Sequence, residues 1–186
     1  MIRRPLAALR KYLGRENGVA AAEIAIWSAA LIAPIFGTVD LANYMYRRMQ
    51  VNTAAQAAAQ RAWILCNTAA KLPAVQNCSG LSAAATGAAQ STNLGTAVTI
   101  SSTNEGFYCA NSSGALVQVG STGTYGSNPA RPSPNTCASV TTGSTAVPGD
   151  YIVVTTSYTY SRLFGNLALS GLLPTSVTRT AWMRLS

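Results

Sequence analysis

An apolar run guarded by cations constrains this chain more than any other feature. Residues 19–39, VAAAEIAIWSAALIAPIFGTV, carry one ionisable side chain, Glu23. As a helix rising roughly 1.5 Å per residue, about 21 such residues extend roughly 30 Å, the thickness of a bilayer's hydrocarbon core. Ahead of the run lie Arg3, Arg4, Arg10, Lys11 and Arg15 against the single acid Glu16. Cations flanking an apolar span hold that end in the cytoplasm, because moving them through lipid is costly. The reading is a single-pass anchor with a cytoplasmic N-terminus and the rest of the chain outside. A cleaved secretory signal is the competing reading, and the length of both the apolar run and the basic stretch counts against it. Arg3-Arg4 does not make a twin-arginine signal, since the apolar run begins about 15 residues later without the surrounding motif.

The net charge of +8 would suit a nucleic-acid binder if it formed one patch. Half of it sits in the leader, so it reads as topology, and no nucleic-acid partner is expected. Catalysis is not expected either. Beyond the span the acids are Asp40, Glu105 and Asp150, and the chain has no histidine, the commonest acid-base group. No cofactor is implied.

After Asp40 the pattern becomes LANYMYRRMQVNTAAQAAAQRAWILC, free of Gly and Pro. Leu41, Tyr44, Met45, Val51, Ala55, Ala58, Ala62 and Leu65 recur at helical intervals, with Arg47, Arg48, Gln50, Gln56 and Gln60 largely elsewhere around the axis. One helix over about 19–65 is predicted, near 70 Å long at the same rise. Pro34 falls inside it and removes a backbone donor, so a kink is expected there.

Cys66, Cys78, Cys109 and Cys137 all follow the span. An even count in an exported, loop-rich region reads as a disulfide framework with three pairings open, of which Cys66–Cys78 with Cys109–Cys137 closes the shortest loops. A metal site is disfavoured by the lack of histidine and of any Cys-x-x-Cys. Between 71 and 148 the chain is rich in Ser, Thr, Gly and Asn and reads as loops with short strands at 97–101, 107–110 and 115–119. Residues 150–162 and 176–185 alternate and are rich in Val, Thr and Tyr, predicting two antiparallel strands. The intervening 163–173, LFGNLALSGLL, is too apolar for an ordinary loop and too short to cross a membrane. It reads as a core-covering segment or a docking surface.

The expected fold class is therefore α+β: a long N-terminal transmembrane and amphipathic helix followed by a small, disulfide-tied, antiparallel β-rich head. The expected organisation is a basic leader over 1–18, a membrane segment over 19–40 and a continuation of the helix over 41–70. A loop and short-strand region over 71–149 and C-terminal strands over 150–186 follow.

The sequence Gly18-Val19-Ala20-Ala21-Ala22-Glu23 after a basic leader resembles the processing site of type IV pilins and their relatives. The stretch RENGVAAAEIAIWSAALIAPIFGTVDLANYMYRRMQVNTAAQAAAQRAW and the closing TAWMR most resemble TadE-like minor pilins of tight-adherence pili. That resemblance implies a pilin-like fold and cleavage after Gly18 by a prepilin peptidase. It also implies a methylated Val19 N-terminus and an assembly role for Glu23. It implies a bacterial inner-membrane location with a periplasmic head, or a place in the pilus after assembly. The implied partners are other pilin subunits, the Tad assembly platform and the membrane, and the implied role is structural, in pilus assembly, adhesion and biofilm formation. Independently of the resemblance, a carboxylate inside a membrane helix is costly without a partner. An amine freed at Val19 would lie one helical turn from Glu23. The alternative function is a signal-anchored periplasmic binding or structural module that never enters a pilus.

Overall fold

The computed structural model describes residues 16–164 and 172–186; most of the basic leader and the middle of the apolar 163–173 segment lie outside the described residues. The long helix α1 runs over Glu16–Cys66 and contains Pro34. It forms because the stretch is built almost entirely from Ala and other residues that extend a helix, with no proline after position 34. Two short helical segments follow, α2 over Ala74–Asn77 and α3 over Leu81–Gln90. Among the described residues four strands follow: β1 Val98–Ala110, β2 Leu116–Gly123, β3 Gly149–Thr159 and β4 Ser176–Arg184. They make one antiparallel sheet in the order β2-β1-β3-β4. The molecule is thus α+β, with an apolar N-terminal helix, a four-stranded antiparallel sheet and two disulfides.

The chain divides into two compact units, Met1–Tyr44 with Arg162–Leu173, and Met45–Ser161 with Pro174–Ser186. In the second, the later turns of α1 pack on the sheet. Val51, Ala54, Ala55, Ala58, Ala59, Ala62 and Cys66 are buried, the i, i+3, i+4 stripe of a helix with one covered face. Small side chains let the helix backbone come close to the strands, and the Thr156 hydroxyl on β3 donates to the Val51 carbonyl at 3.2 Å. From β3 and β4, Ile152, Val154, Val177, Ala181 and Leu185 fill the same core. The two C-terminal strands pair in register from Tyr151↔Arg184 to Thr159↔Ser176, as their alternation predicts.

The region between 71 and 148 is more ordered than its composition suggests. The segments expected as separate strands at 97–101 and 107–110 are one continuous strand, β1, and 115–119 is the first part of β2. The polar stretch SSTNEG in the middle of β1 holds its conformation because it pairs with β3, joined by β2 from Glu105 onward, with an irregularity in register between Ile100 and Ser102. Backbone pairing to β3 outweighs the weak strand preference of those residues. Helix α3, LSAAATGAAQ, was not expected. It buries Leu81, Ala85 and Ala89 against β1 and begins after Gly80, whose φ of +81° admits glycine without strain.

Both cysteine pairs join sequence neighbours, Cys66 to Cys78 and Cys109 to Cys137. The first fastens the last residue of α1 to the end of α2. The second draws the proline-rich connection after β2 onto Phe107, Cys109 and Val119, with Val140 packed alongside.

Candidate functional site

In the first unit, α1 begins at Glu16, so Gly18 and Val19 lie in helical backbone. Val19 and Glu23 are both exposed and stand four residues apart, one turn along the same face. Leu31, Ile24, Ile26 and Trp27 are also exposed, and α1 is long and apolar enough to cross a membrane. Exposed apolar side chains on every side of a helix suit a segment that meets lipid or other helices. Pro34 leaves the Ala30 carbonyl without its usual helical donor.

A second constellation in this unit was only partly legible. Asp40 is fully buried; its Oδ1 accepts from the Leu163 N–H at 2.8 Å and its Oδ2 from the Phe164 N–H at 3.4 Å. One turn earlier, Phe36 stacks on Phe164 with ring centroids 4.5 Å apart. Arg162 Nη2 donates to the Leu173 carbonyl at 2.7 Å, closing the ends of the connection between β3 and β4. The apolar segment expected to cover a core or dock thus begins against α1, held by a carboxylate and an aromatic ring; its residues 165–171 lie outside the described ones.

The head carries a pair of buried acids. Glu105 on β1 is fully buried, and its Oε2 accepts from the Val75 N–H at 2.8 Å. Asp150 opens β3, equally sealed. Its carboxyl is pushed up to about 7 by loss of water, by the neighbouring charge of Glu105 and by a hydrogen bond with it, against a lowering by Arg131. Glu105 Oε1 and Asp150 Oδ1 have no other donor, so one proton held between the two carboxyls gives each a partner. Arg131 reaches this region with its guanidinium 4.4 Å from the Phe107 ring centroid. Sequence reasoning passed over both acids. The available signal was an acid at an inward position of an alternating segment, which is costly without a partner.

Nothing in these arrangements sets a nucleophile beside a base, and among the described residues no group of three or more His, Cys, Asp or Glu side chains is placed to hold a metal ion. The first unit presents an exposed apolar stretch of α1 from Val19 onward, with Glu23 as the acid near its start.

Residues 18–60 match the family model described as TadE-like protein. No curated protein and no solved structure matches the chain.

Proposed function

We propose that this TadE-like chain, a Tad pilus-associated structural protein by its family match, is a minor pilin or pseudopilin that a prepilin peptidase cuts between Gly18 and Val19. The observation that carries the reading is that the family match begins at Gly18, the residue at which the basic leader gives way to the apolar helix. The leader's cations keep the N-terminus in the cytoplasm and the disulfide-tied head enters the periplasm. After cutting, the Val19 ammonium and the Glu23 carboxylate lie one turn apart. Each is within reach of its opposite on a neighbouring subunit, so a bundle of such helix starts neutralises its own charges inside lipid. Partners are the peptidase, other pilin subunits and the Tad assembly platform, and the role is in pilus assembly, adhesion and biofilm formation.

Mass spectrometry of the mature protein from its host tests this. The expected N-terminus is methylated Val19. Gly18→Leu should leave the leader attached and remove the protein from sheared pili, and Glu23→Ala should be cut normally but incorporated poorly. An intact leader in wild-type cells that contain the peptidase would instead mean a plain membrane anchor. A start beyond Pro34 would mean an ordinary signal peptide.

A further inference from the structure

The sheet has two edges, and the fold treats them differently. The outer edge of β2 is covered: Ser121 N–H donates to the Ala130 carbonyl at 3.1 Å, and the chain folds back through a bridge between Thr124 and Ser127. The cover is so close that a side chain at Gly120 would collide with the Ala130 carbonyl and one at Gly123 with the Pro129 ring. Such covering is the usual defence of a strand edge against stray pairing.

Among the described residues the outer edge of β4 has no such cover. Tyr160 N–H donates to Thr175 O, and Leu185 N–H to Asp150 O. In an antiparallel ladder of this register the odd-numbered residues of β4 therefore bond to β3 and the even-numbered ones point outward. Thr178 O is satisfied by Arg179 Nη1 at 2.9 Å. Among the described residues the N–H and C=O of Thr180 and Trp182 meet no further strand, and both residues are exposed, Trp182 to 45%. Beside them runs a groove of about 510 Å³ lined by Gln56, Ala59 and Gln60 of α1 and by Thr180, Trp182 and Met183 of β4. One helical turn earlier it meets a depression of about 380 Å³ that holds Arg48 and Arg179.

We infer that the β4 edge takes a fifth strand, an extended segment of a different protein that bears carboxylates. The outward backbone groups of Thr180 and Trp182 supply the ladder, the groove receives alternate side chains, and the arginines choose the sign of the partner. Charge decides the occupant. The acidic side chains of this unit, Glu105 and Asp150, are both buried, so no Asp or Glu of it faces solvent, whereas Arg48, Arg61, Arg131 and Arg184 are exposed. Two copies meeting edge to edge would bring Arg179 and Arg184 of each strand together with no acidic side chain to offset them. The inference holds whether or not the Gly18–Val19 bond is cut.

The test is photocrosslinking of the full chain in its native host, with benzoylphenylalanine replacing Gln60 and the joined peptides sequenced by mass spectrometry. The expected adduct is an Asp- or Glu-bearing segment of another protein. Thr180→Pro removes an outward N–H without touching a backbone bond to β3, losing only the exposed contact of the Thr180 and Thr155 hydroxyls, which an edge strand tolerates, and should lower the adduct at least tenfold. Arg48→Glu with Arg179→Glu reverses the charge beside the groove, at the loss of the Arg179 bond to the Thr178 carbonyl, and should do the same even if the proline variant folds poorly. The inference is overturned by an adduct chiefly to a second copy of this chain, to lipid or to nucleic acid. It is equally overturned by no adduct, or by an adduct that the charge-reversed variant leaves unchanged.

Discussion

The carboxyl group of Asp150, at the start of β3, is hydrogen-bonded to that of Glu105 in the middle of β1, and both are shut away from water. Two acids that close cannot both be charged without a large cost, so the folded head holds a proton that the unfolded chain releases. Asp150 has its carboxyl raised from 3.8 to about 7 on folding. The contribution of this proton is whole below pH 4 and fades as pH rises through about 7, beyond which the loss is complete.

The head should therefore unfold more readily at pH 8 than at pH 5. The difference is at most on the order of 3 kcal/mol, because at pH 5 only the roughly two pH units up to about 7 are still to be lost. Asp150→Asn replaces the shared proton with an amide donor aimed at the Glu105 carboxyl. Thermal melts of the full chain in detergent should show the variant more stable than wild type at pH 8, level with it near pH 5, and flatter between. A wild-type melting temperature that rises from pH 5 to pH 8 would contradict the shared proton.

Little of that pair could be read from the sequence, because Glu105 and Asp150 meet only through strand pairing, which no local pattern reports. The long helix was legible for the opposite reason: its signal lies within the segment, in the apolar run from Val19 and the stripe through Val51, Ala55, Ala58 and Ala62. Strands β3 and β4 were legible because Val, Thr and Tyr alternate in them. Helix α3 was hidden by Ser82, Thr86 and Gly87, which weaken its helix preference, while tertiary contact of Leu81, Ala85 and Ala89 restores it. Asp40 stood out as an acid at the end of the membrane segment, but its bonds reach residues 123 and 124 positions later.

Those bonds make a local prediction. Asp40→Ala removes the acceptor for the Leu163 and Phe164 N–H groups, at a cost of about 1–3 kcal/mol to the attachment of this connection. Amide exchange at both residues should speed up by at least tenfold and chymotrypsin should cut after Phe164, while the melting of the sheet changes little. Asp40→Asn keeps one acceptor oxygen and should fall between. Unchanged exchange in the alanine variant would mean that the Phe36–Phe164 stack alone holds the segment.

Cys109–Cys137 closes a separation of 28 residues and Cys66–Cys78 one of 12. By the chain-entropy argument these contribute about 3.5 and about 3 kcal/mol. Replacing Cys109 and Cys137 together by Ser should lower the melting temperature by about 10 °C and expose the proline-rich connection, residues 127–136, to proteases. The same exchange at Cys66 and Cys78 should instead fray the last turn of α1. If peptide mapping of non-reduced protein joins Cys66 to any partner other than Cys78, both expectations fall.

The alanines of α1 are a spacing device, and the Thr156–Val51 hydrogen bond measures the spacing, since a threonine side chain reaches a helix carbonyl only when helix and strand lie close. Ala58 is fully buried at the centre of that contact. Ala58→Leu forces the helix away from β3 or its new side chain into a poor rotamer, costing about 1–3 kcal/mol, and should break the Thr156 bond. Arg61→Leu, on the exposed side of the same helix, should change stability by no more than about 0.5 kcal/mol. Denaturant titration of the two variants checks the contrast. Equal, small effects would mean that the helix can shift on the sheet without loss, and that its small residues serve contacts with neighbouring subunits instead.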